Sequence, residues 1–456
     1  MTRLSHSKSP PGPGPGAILS QTLAFRRAPI PLLTSLTQRY GDIFRMRLLA
    51  WPIVFLNHPD YLRKVLVTNY QNYDKRDPSY TIGRMFVGDG LVTAEGEAWK
   101  QQHALVMPIF QKKSRDAFDS IIVDATLGLC ERWEAASRTE SYIDVAKEME
   151  DLTLQILSRT VFKVSASRLV ESIASEFDLI GNFLLGYFQM PFPPLSVPTA
   201  RSRRVKASLE RLDRAVYALI AERRAIQEPE RYGTDILGLL LSATDDESGK
   251  GLSDKQTRDN VVTFMVSGTH TSKTILAWAW HLISQHDSVE EKLHEEVDRV
   301  LGGRPATSED LPKLVYTRMI IDETLRIYPA TWMLMRRCID EDVLGDYRIA
   351  SHTYLMWSPY LLHRHPAFWE NPEQFRPERF EPGKDDSRLA AYVPFGAGPR
   401  VCIGKHVALM TMTLVIATIA QKYRLSPKPD HVVQPEAQIV LRPLNGLPMK
   451  LSRRLG

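Results

Sequence analysis

The sequence contains few cysteines. Only three occur in 456 residues, Cys130, Cys338 and Cys402. An odd number of widely separated cysteines is not typical of a disulfide scaffold, and it favours a reducing compartment. No CxxC pair and no Cys/His cluster has the spacing of a zinc site. The sequence therefore predicts a cytoplasmic protein with free thiols.

Excess charge and long apolar runs are also missing. The net charge is +5, from 58 basic and 53 acidic residues, which is too balanced to indicate a nucleic-acid partner. The start of the chain contains no apolar run that could form a signal peptide or a membrane anchor. It contains the proline- and glycine-rich stretch PPGPGPG instead. We therefore predict a flexible segment over residues 1–19, one ordered domain over residues 20–456 and no stable membrane anchor.

The hydrophobic pattern is typical of a mainly α chain with a minor β lobe. Amphipathic helices are predicted between residues 96 and 247, and further helices over 253–285 and 287–300 and up to Pro329. Short strands are predicted near residues 40–56 and 331–357. A long irregular stretch covers 365–394, a final helix starts near Cys402, and the tail predicts a hairpin.

One cysteine lies in an unusual setting, in the stretch FGAGPRVCIG at residues 395–404. A cysteine alone is most often a small buried hydrophobic residue. Here three glycines permit close approach of the backbone to a ligand, and a helix start would favour a thiolate at Cys402. The setting therefore favours an iron-binding thiolate over a packing role.

The pattern FxxGxRxCxG, formed by Phe395, Gly398, Arg400, Cys402 and Gly404, resembles the haem-binding signature of the cytochrome P450 family. The resemblance implies the cytochrome P450 fold and a haem b cofactor (iron protoporphyrin IX) whose iron has Cys402 as axial ligand. It also implies that Phe395 packs near the sulfur and that Arg400 pairs with a haem propionate. A thiolate ligand favours O–O bond cleavage.

A charged network is the second feature of the resemblance. Glu323 and Arg326 in ETLR match the ExxR motif of the family, and Arg379 in PERF supplies the third member of its Glu–Arg–Arg network. Most Glu/Arg pairs at this spacing are surface pairs of little energetic weight. The resemblance implies instead a structural role, in which the network holds the cysteine loop.

Further positions match residues that the family uses to bind haem propionates. Trp99 matches a helical tryptophan, but His103 stands four residues later, where the family has Arg or Lys. A histidine still donates a hydrogen bond, although its charge depends on pH. Arg336 matches a propionate-binding arginine, and its planar donor group suits a carboxylate.

The middle of the long predicted helix contains MVSGTHTSKT. A kinked core helix would explain this stretch, because Gly268 weakens a helix and Thr271 can bond back to the backbone. The stretch also aligns with the oxygen-binding groove of the family, which implies catalytic roles for Gly268 and Thr271. His270 stands where the family has an acid. Two interpretations stay open: His270 carries protons, or it only lies beside a charged neighbour.

Electrons are expected from a separate redox protein, because no GxGxxG fingerprint of a flavin or NAD domain occurs. The resemblance implies a ferredoxin with its reductase, or a similar donor, docking behind the cysteine. Lys405 and the cluster Lys112–Lys113–Arg115 are candidate contacts. Solvated surface lysines are the alternative. O₂ is the other expected co-substrate, and we expect a monomer.

The substrate is expected to be hydrophobic, because the segments that match the substrate region of the family are rich in apolar and aromatic residues. They are the loop Tyr80–Phe86, the segments Phe183–Phe192 and Phe264–Gly268, and Ala330–Leu334. A terpenoid is the first choice, and a fatty-acid-like or other natural-product lipid is the alternative.

The resemblance therefore implies a monooxygenase that hydroxylates or epoxidises such a substrate. A haem-thiolate isomerase, dehydratase or peroxide-driven peroxygenase is the alternative, which His270 keeps open and Thr271 disfavours. A non-enzymatic haem sensor has little support, because the sequence shows no signalling domain.

Overall fold

The computed structural model describes residues 8–49, 51–111, 118–139, 141–162, 176, 197–226, 235–244, 249–384 and 386–454. The chain divides into two compact units. The first unit comprises Met1–Thr81, Glu323–Cys402 and Ala437–Leu441, and the second comprises Ile82–Asp322, Ile403–Glu436 and Arg442–Gly456. The single ordered domain expected over residues 20–456 stays a prediction.

Helices dominate the described residues, as predicted. In chain order they are α1 (Ile18–Arg27), α2 (Pro29–Tyr40), α3 (Pro59–Arg63), α4 (Pro78–Val87), α5 (Gly96–Val106), α6 (Asp119–Ser137), α7 (Val145–Phe162), α8 (Ala200–Ala225), α9 (Ile236–Ser242), α10 (Asp254–Ser284), α11 (Asp287–Leu301), α12 (Val315–Ile327), α13 (Pro359–Leu362) and α14 (Lys405–Ala420). None of these helices combines the length and the apolar character needed to cross a lipid bilayer.

The strands are short and form small sheets. They are β1 (Ile43–Leu48), β2 (Trp51–Leu56), β3 (Tyr73–Asp74), β4 (Tyr142–Asp144), β5 (Leu334–Cys338), β6 (Asp342–Leu344), β7 (Tyr347–Ile349), β8 (Tyr354–Trp357), β9 (Tyr423–Pro427), β10 (Pro435–Ala437), β11 (Leu441–Pro443) and β12 (Pro448–Arg453). The largest sheet has the order β1-β2-β8-β5-β3. It lies in the first unit and contains the strand β5 that positions Arg336.

The edge strand β1 of the large sheet has one buried and one largely exposed face, whereas the inner strand β2 is buried on both faces from Ile53 to Leu56. In β1, Phe44, Met46 and Leu48 are buried while Arg45 and Arg47 are exposed, which is the alternation expected of a half-buried strand. The buried side chains pack with Leu33 and Leu36 of α2, whose spacing of three residues places them on one helix face. The same helix and sheet therefore enclose one core of the first unit.

Two helices form the centre of the second unit. The helix α10 begins with a capping box, in which Ser253 and Gln256 bond each other's backbone N–H groups, so two N–H groups at the helix start have partners. It continues without interruption for 31 residues. The helix α14 is buried continuously from Leu409 to Ala420, which explains its uninterrupted apolar sequence.

The segment before residue 20 makes backbone contacts from Lys8 onwards: Lys8 bridges Tyr347 and the Arg45 N–H donates to the Pro11 oxygen at 2.7 Å. The flexibility expected for residues 1–19 stays a prediction. Two expectations need correction. Residues 80–86 lie in α4 rather than in a loop. The tail does not form one hairpin, since β12 pairs with β4 and β9 while β10 pairs with β11.

Candidate functional site

The cysteine loop lies at the end of the segment Glu323–Cys402 of the first unit, and its thiol is accessible. Cys402 is exposed, whereas Cys130 and Cys338 are buried. Burial raises the pKa of Cys130 to about 11 and that of Cys338 to about 12, so neither is a thiolate near neutral pH. The Cys402 N–H donates to the Phe395 oxygen at 2.9 Å and closes the loop. The helix α14 begins at Lys405, so Cys402 lies ahead of the helix rather than at its first residue.

One glycine in this loop has a clear steric reason. Gly398 has a φ of +70°, and a Cβ placed on it would lie 1.9 Å from the Leu66 carbonyl oxygen. A side chain there would clash with backbone, and the left-handed conformation is itself unfavourable for other residues. The close packing against residues 66–67 therefore fixes the shape of the loop ahead of Cys402.

The predicted Glu–Arg–Arg network is formed and buried. Arg326 donates to both carboxylate oxygens of Glu323, at 2.7 and 2.8 Å, and Arg379 Nε donates to the same carboxylate at 3.2 Å. The backbone N–H of Arg376 also donates to Glu323, at 2.9 Å. The side chains of all three network residues are at most 1% exposed. The network therefore joins α12 by hydrogen bonds to the segment around residues 376–379.

His363 is a buried positioning residue that the sequence interpretation missed. Its Nδ1 lies 3.2 Å from the Arg326 carbonyl oxygen, and its Nε2 accepts the Val393 N–H at 3.0 Å. A carbonyl can only accept, so Nδ1 carries the proton and the ring is neutral. Burial lowers the pKa of His363 to about 3. The ring thus joins the network to Val393, two residues before the cysteine loop.

Two adjacent arginines in β5 have different surroundings. Arg337 forms a bidentate pair with Asp74, at 2.6 and 3.1 Å. Arg336 is buried and donates to the Met335 carbonyl at 2.8 Å. It also lies over the rings of Tyr80 and Trp357. Among the described residues no carboxylate hydrogen-bonds Arg336. The carboxylate near Arg336 is that of Asp77, which is fully buried and whose pKa is raised by desolvation although Arg336 opposes this shift. Arg336 is therefore the arginine of this pair without a bidentate carboxylate partner among the described residues.

The two predicted propionate contacts in the second unit share one helix face. Trp99 and His103 lie in α5 four residues apart, and their ring centroids are 5.0 Å apart. Trp99 is buried at 9% exposure, while His103 is partly exposed. The two rings are therefore neighbours on α5, as a spacing of four residues in a helix predicts.

The middle of α10 has an accessible strip in an otherwise buried helix. Ser267 is exposed, and Gly268 and Thr271 are partly exposed, although Phe264, Met265 and most of the later residues are buried. Thr271 Oγ1 donates to the Ser267 carbonyl at 2.6 Å. The strip is therefore accessible at Ser267 and Thr271, whereas the Cβ direction of Gly268 faces Leu157 of α7.

His270 lies beside charged neighbours. Burial lowers the pKa of His270 to about 4; Lys273 and Arg442 act in the same direction, and Glu150 opposes them. The imidazole is therefore neutral near neutral pH. Its ring forms no hydrogen bond with another described residue, so both open interpretations of His270 survive.

The structure thus groups Phe395, Arg400, Cys402 and Arg336 in the first unit, and Trp99, His103, Gly268, His270 and Thr271 in the second. Of the other predicted contacts, Lys405 is partly exposed, and Phe264 packs on Phe110. The cluster Lys112–Lys113–Arg115 and the segment Phe183–Phe192 lie outside the described residues.

The described residues fit a haem. An exposed thiol at Cys402 provides a soft iron ligand. Arg336 is a buried cation that has no hydrogen-bonded carboxylate among the described residues. Asp77 lies near enough to interact with it electrostatically, but a buried charge is fully compensated only when hydrogen bonds accompany the ion pair. A haem propionate would satisfy it.

Comparison with known proteins gives consistent results. The family model described as Cytochrome P450 matches residues 10–448. The chain is similar to two proteins of Streptomyces melanosporofaciens. It is 34% identical to cyclooctat-9-en-7-ol 5-monooxygenase, covering 91% of this chain and 89% of the relative. It is 32% identical to cyclooctatin synthase, covering 97% and 96%.

A third relative and a solved structure agree with these. Pentalenene oxygenase of Streptomyces avermitilis is 30% identical, with 97% of each chain covered. The crystal structure of the cytochrome P450DA heme domain superposes with a TM-score of 0.86 at 27% identity, covering 98% of each chain. The likeness therefore extends over the whole length of the proteins compared.

Proposed function

Because this chain belongs to the cytochrome P450 family, a family of haem-dependent monooxygenases, we propose that it hydroxylates or epoxidises a terpenoid. The observation that carries the chemistry is the exposed thiol of Cys402, on a loop that Gly398 shapes and His363 joins to the buried network. The substrate class rests on relatives whose names include cyclooctat-9-en-7-ol 5-monooxygenase and pentalenene oxygenase.

We propose specific residues for holding the cofactor, haem b. Cys402 binds the iron through its thiolate, and Phe395 packs beside the sulfur. Arg336 and Arg400 neutralise propionates by charge-assisted hydrogen bonds. Trp99 and His103 provide further donors to propionates. When bound, the haem supplies the redox-active iron at which O₂ is activated.

Three residues of α10, Gly268, His270 and Thr271, are proposed to act in the delivery of protons to the reaction. The overall reaction is RH + O₂ + 2 e⁻ + 2 H⁺ → ROH + H₂O, so each turnover takes up two protons. Gly268 lets α10 pack closely against Leu157 of α7, and Thr271 holds a proton at Oγ1 that it donates to the Ser267 carbonyl at rest. His270 is neutral near pH 7 because burial lowers its pKa, and it can accept a proton at one ring nitrogen while releasing one at the other.

Electrons come from a separate donor, which we propose to be a ferredoxin with its reductase. A cytoplasmic location and a monomeric state complete the proposal. Phe264 and Trp332 are buried apolar residues in segments assigned to substrate contact, which suits a hydrocarbon substrate. A fatty-acid-like lipid is the alternative substrate.

The proposal is tested with purified protein and a surrogate ferredoxin, ferredoxin reductase and NADPH. We expect cyclic terpenes to displace water from the ferric iron, and product to form with consumption of O₂. Cys402→Ser removes the thiolate and should abolish both the red-shifted Soret band of the reduced carbonyl adduct and turnover. Absence of that band in the wild type would contradict haem-thiolate ligation.

An assay with hydrogen peroxide in place of the electron-transfer proteins distinguishes the alternative activities from the proposed monooxygenase. Turnover with hydrogen peroxide alone, and none with the electron-transfer proteins, would identify a peroxygenase. Conversion without any oxidant would identify an isomerase or dehydratase. Turnover of fatty acids but not of terpenes would retain the reaction and overturn the substrate class.

A further inference from the structure

Two helices of the second unit approach each other closely beside the accessible strip. A Cβ placed on Gly268 of α10 would lie 3.0 Å from Leu157 Cδ1 of α7. Only glycine therefore allows this spacing without displacing Leu157. Glu150 lies seven residues before Leu157, which is two turns along the same face of α7. Lys273 lies five residues after Gly268, so the helices run antiparallel here and bring Glu150 to Lys273.

Glu150 and Lys273 form an ion pair between these helices. The Lys273 ammonium contacts Glu150 Oε1, and the two side chains are 19% and 23% exposed. On the outer side, Lys147 lies 3.4 Å from Glu150 and 3.0 Å from Asp151. Lys147 is 57% exposed. The pair is therefore largely buried, and the exposed Lys147 contacts its carboxylate.

His270 precedes Lys273 by three residues, which places both on the same face of α10. The charged groups that act on its ring are Lys273 from the same helix, Glu150 from α7 and Arg442 from β11. Arg442 is paired with Glu436 at 2.8 Å. The position that carries an acid in the family pattern therefore has a neutral imidazole here. The carboxylate that acts on this ring is Glu150, which belongs to another helix, α7.

Building on the proposed function, we propose that Glu150 and Lys273 are positioning residues that govern proton transfer from solvent through His270 towards Thr271. A solvent proton binds one imidazole nitrogen, and the proton on the other nitrogen leaves towards Thr271. One N–H bond forms as the other breaks, so no oxidant or reductant is needed. Glu150 balances the Lys273 charge, which would otherwise oppose the transient imidazolium.

The first test measures the titration of His270 directly, in haem-loaded protein with histidines labelled by ¹³C in the diamagnetic ferrous–carbonyl state. His270→Gln identifies its resonance. Lys273→Met should raise the pKa of His270 by about one unit, because it removes a nearby positive charge. Glu150→Gln should lower it. An unchanged pKa in Lys273→Met would overturn the electrostatic link.

The second test measures coupling, defined as product formed per O₂ consumed. Glu150→Gln should lower coupling several-fold, raise peroxide release and increase the solvent deuterium isotope effect, and Glu150→Asp should restore part of the coupling. Asp151→Asn is the matched control on the same helix, since its carboxylate is 51% exposed and pairs with Lys147. Retention of the Soret band shows that each variant holds haem.

The outcomes separate this inference from the proposed function. If Glu150→Gln leaves coupling and the isotope effect unchanged while Thr271→Ala lowers coupling, the monooxygenase proposal stands and the role of the ion pair is wrong. If the wild type forms no product with any donor, the proposed function fails, while the His270 titration still decides whether the ion pair sets its protonation.

Discussion

Gly398 is the residue of the cysteine loop at which one added methyl group should have the largest effect. In Gly398→Ala the new Cβ would clash with the Leu66 carbonyl, 1.9 Å away. The left-handed conformation alone costs about 1–2 kcal/mol for alanine. We expect the loop to shift, so that the haem content of the purified protein falls strongly. The ratio of haem to protein measures this.

The control for this prediction lies two residues earlier. Gly396 also has a positive φ, +72°, but its Cβ would meet no atom within 4 Å. Gly396→Ala should therefore carry the conformational cost without the clash and retain most of the haem. Equal losses in the two variants would show that backbone conformation, rather than contact with Leu66, shapes the loop.

Arg336 and Arg337 provide a second matched pair. Arg336→Met should speed haem loss to apomyoglobin by roughly tenfold or more, because a charge-assisted hydrogen bond contributes about 1.5–3 kcal/mol. Arg337→Met should leave haem loss near the wild-type rate, since the partner of Arg337 is Asp74. Faster loss from Arg337→Met than from Arg336→Met would contradict the propionate assignment.

Sequence reasoning at this scale works where residue types stand at fixed spacing. The loop of Cys402 and the pair Glu323–Arg326 are local patterns, and spacing alone places the members together. His363 is different, because its partners Arg326 and Val393 are 37 and 30 residues away. No local pattern marks a histidine that bonds two backbone groups so distant in the chain. Only the fold identifies it.

At the scale of elements, the buried network connects α12 with the irregular segment that leads to the cysteine loop. Arg326 also donates to the carbonyls of His363, Pro372 and Gln374, at 2.9, 2.7 and 3.1 Å. A stretch without regular structure therefore gains backbone partners from one side chain. This explains how a proline-rich segment stays ordered in the described residues.

Glu323→Gln tests this connection. It removes the carboxylate between two buried arginines, and breaking a buried pair costs about 3–5 kcal/mol. We expect a loss of that size in the free energy of unfolding by urea, together with a lower haem content. Asp322→Asn, on the same helix, should cost about 1 kcal/mol or less, because it removes an ion pair whose arginine is 43% exposed. Similar stability of the two variants would contradict a structural network.

The elements themselves were largely predictable. The strands predicted near residues 40–56 are β1 and β2, and the helix predicted over residues 253–285 is α10 (Asp254–Ser284). Contacts between distant parts of the chain were not predictable: residues 8–16 contain prolines and glycines that cannot form an α-helix, and β1 and β7 supply them with backbone partners. Likewise, the choice of β12 between β11 and β9 depends on tertiary contacts rather than on its sequence.

At the scale of the whole molecule, histidines with lowered pKa values occur in both units: His363 is fully buried, whereas His270, His281 and His294 are partly buried. Burial lowers the pKa of His270, His281 and His294 to about 4, and that of His363 to about 3. The ordinary value near 6.5 applies in the unfolded chain. Between these values the unfolded state binds more protons than the folded state. All four histidines therefore stabilise the fold above about pH 6.5 and lose this contribution as the pH falls towards 4.

We expect the free energy of unfolding of the haem-loaded protein to decrease continuously from about pH 6.5 to about pH 5, a range in which few carboxylates titrate. The fully buried His363 contributes a slope of about 1.4 kcal/mol per pH unit below 6.5. His363→Gln should be less stable at neutral pH but should depend less on pH by that slope. Urea unfolding followed by circular dichroism at several pH values measures both. Parallel curves for the two proteins would show that His363 titrates alike in the folded and unfolded states, and would contradict its placement as a buried neutral link.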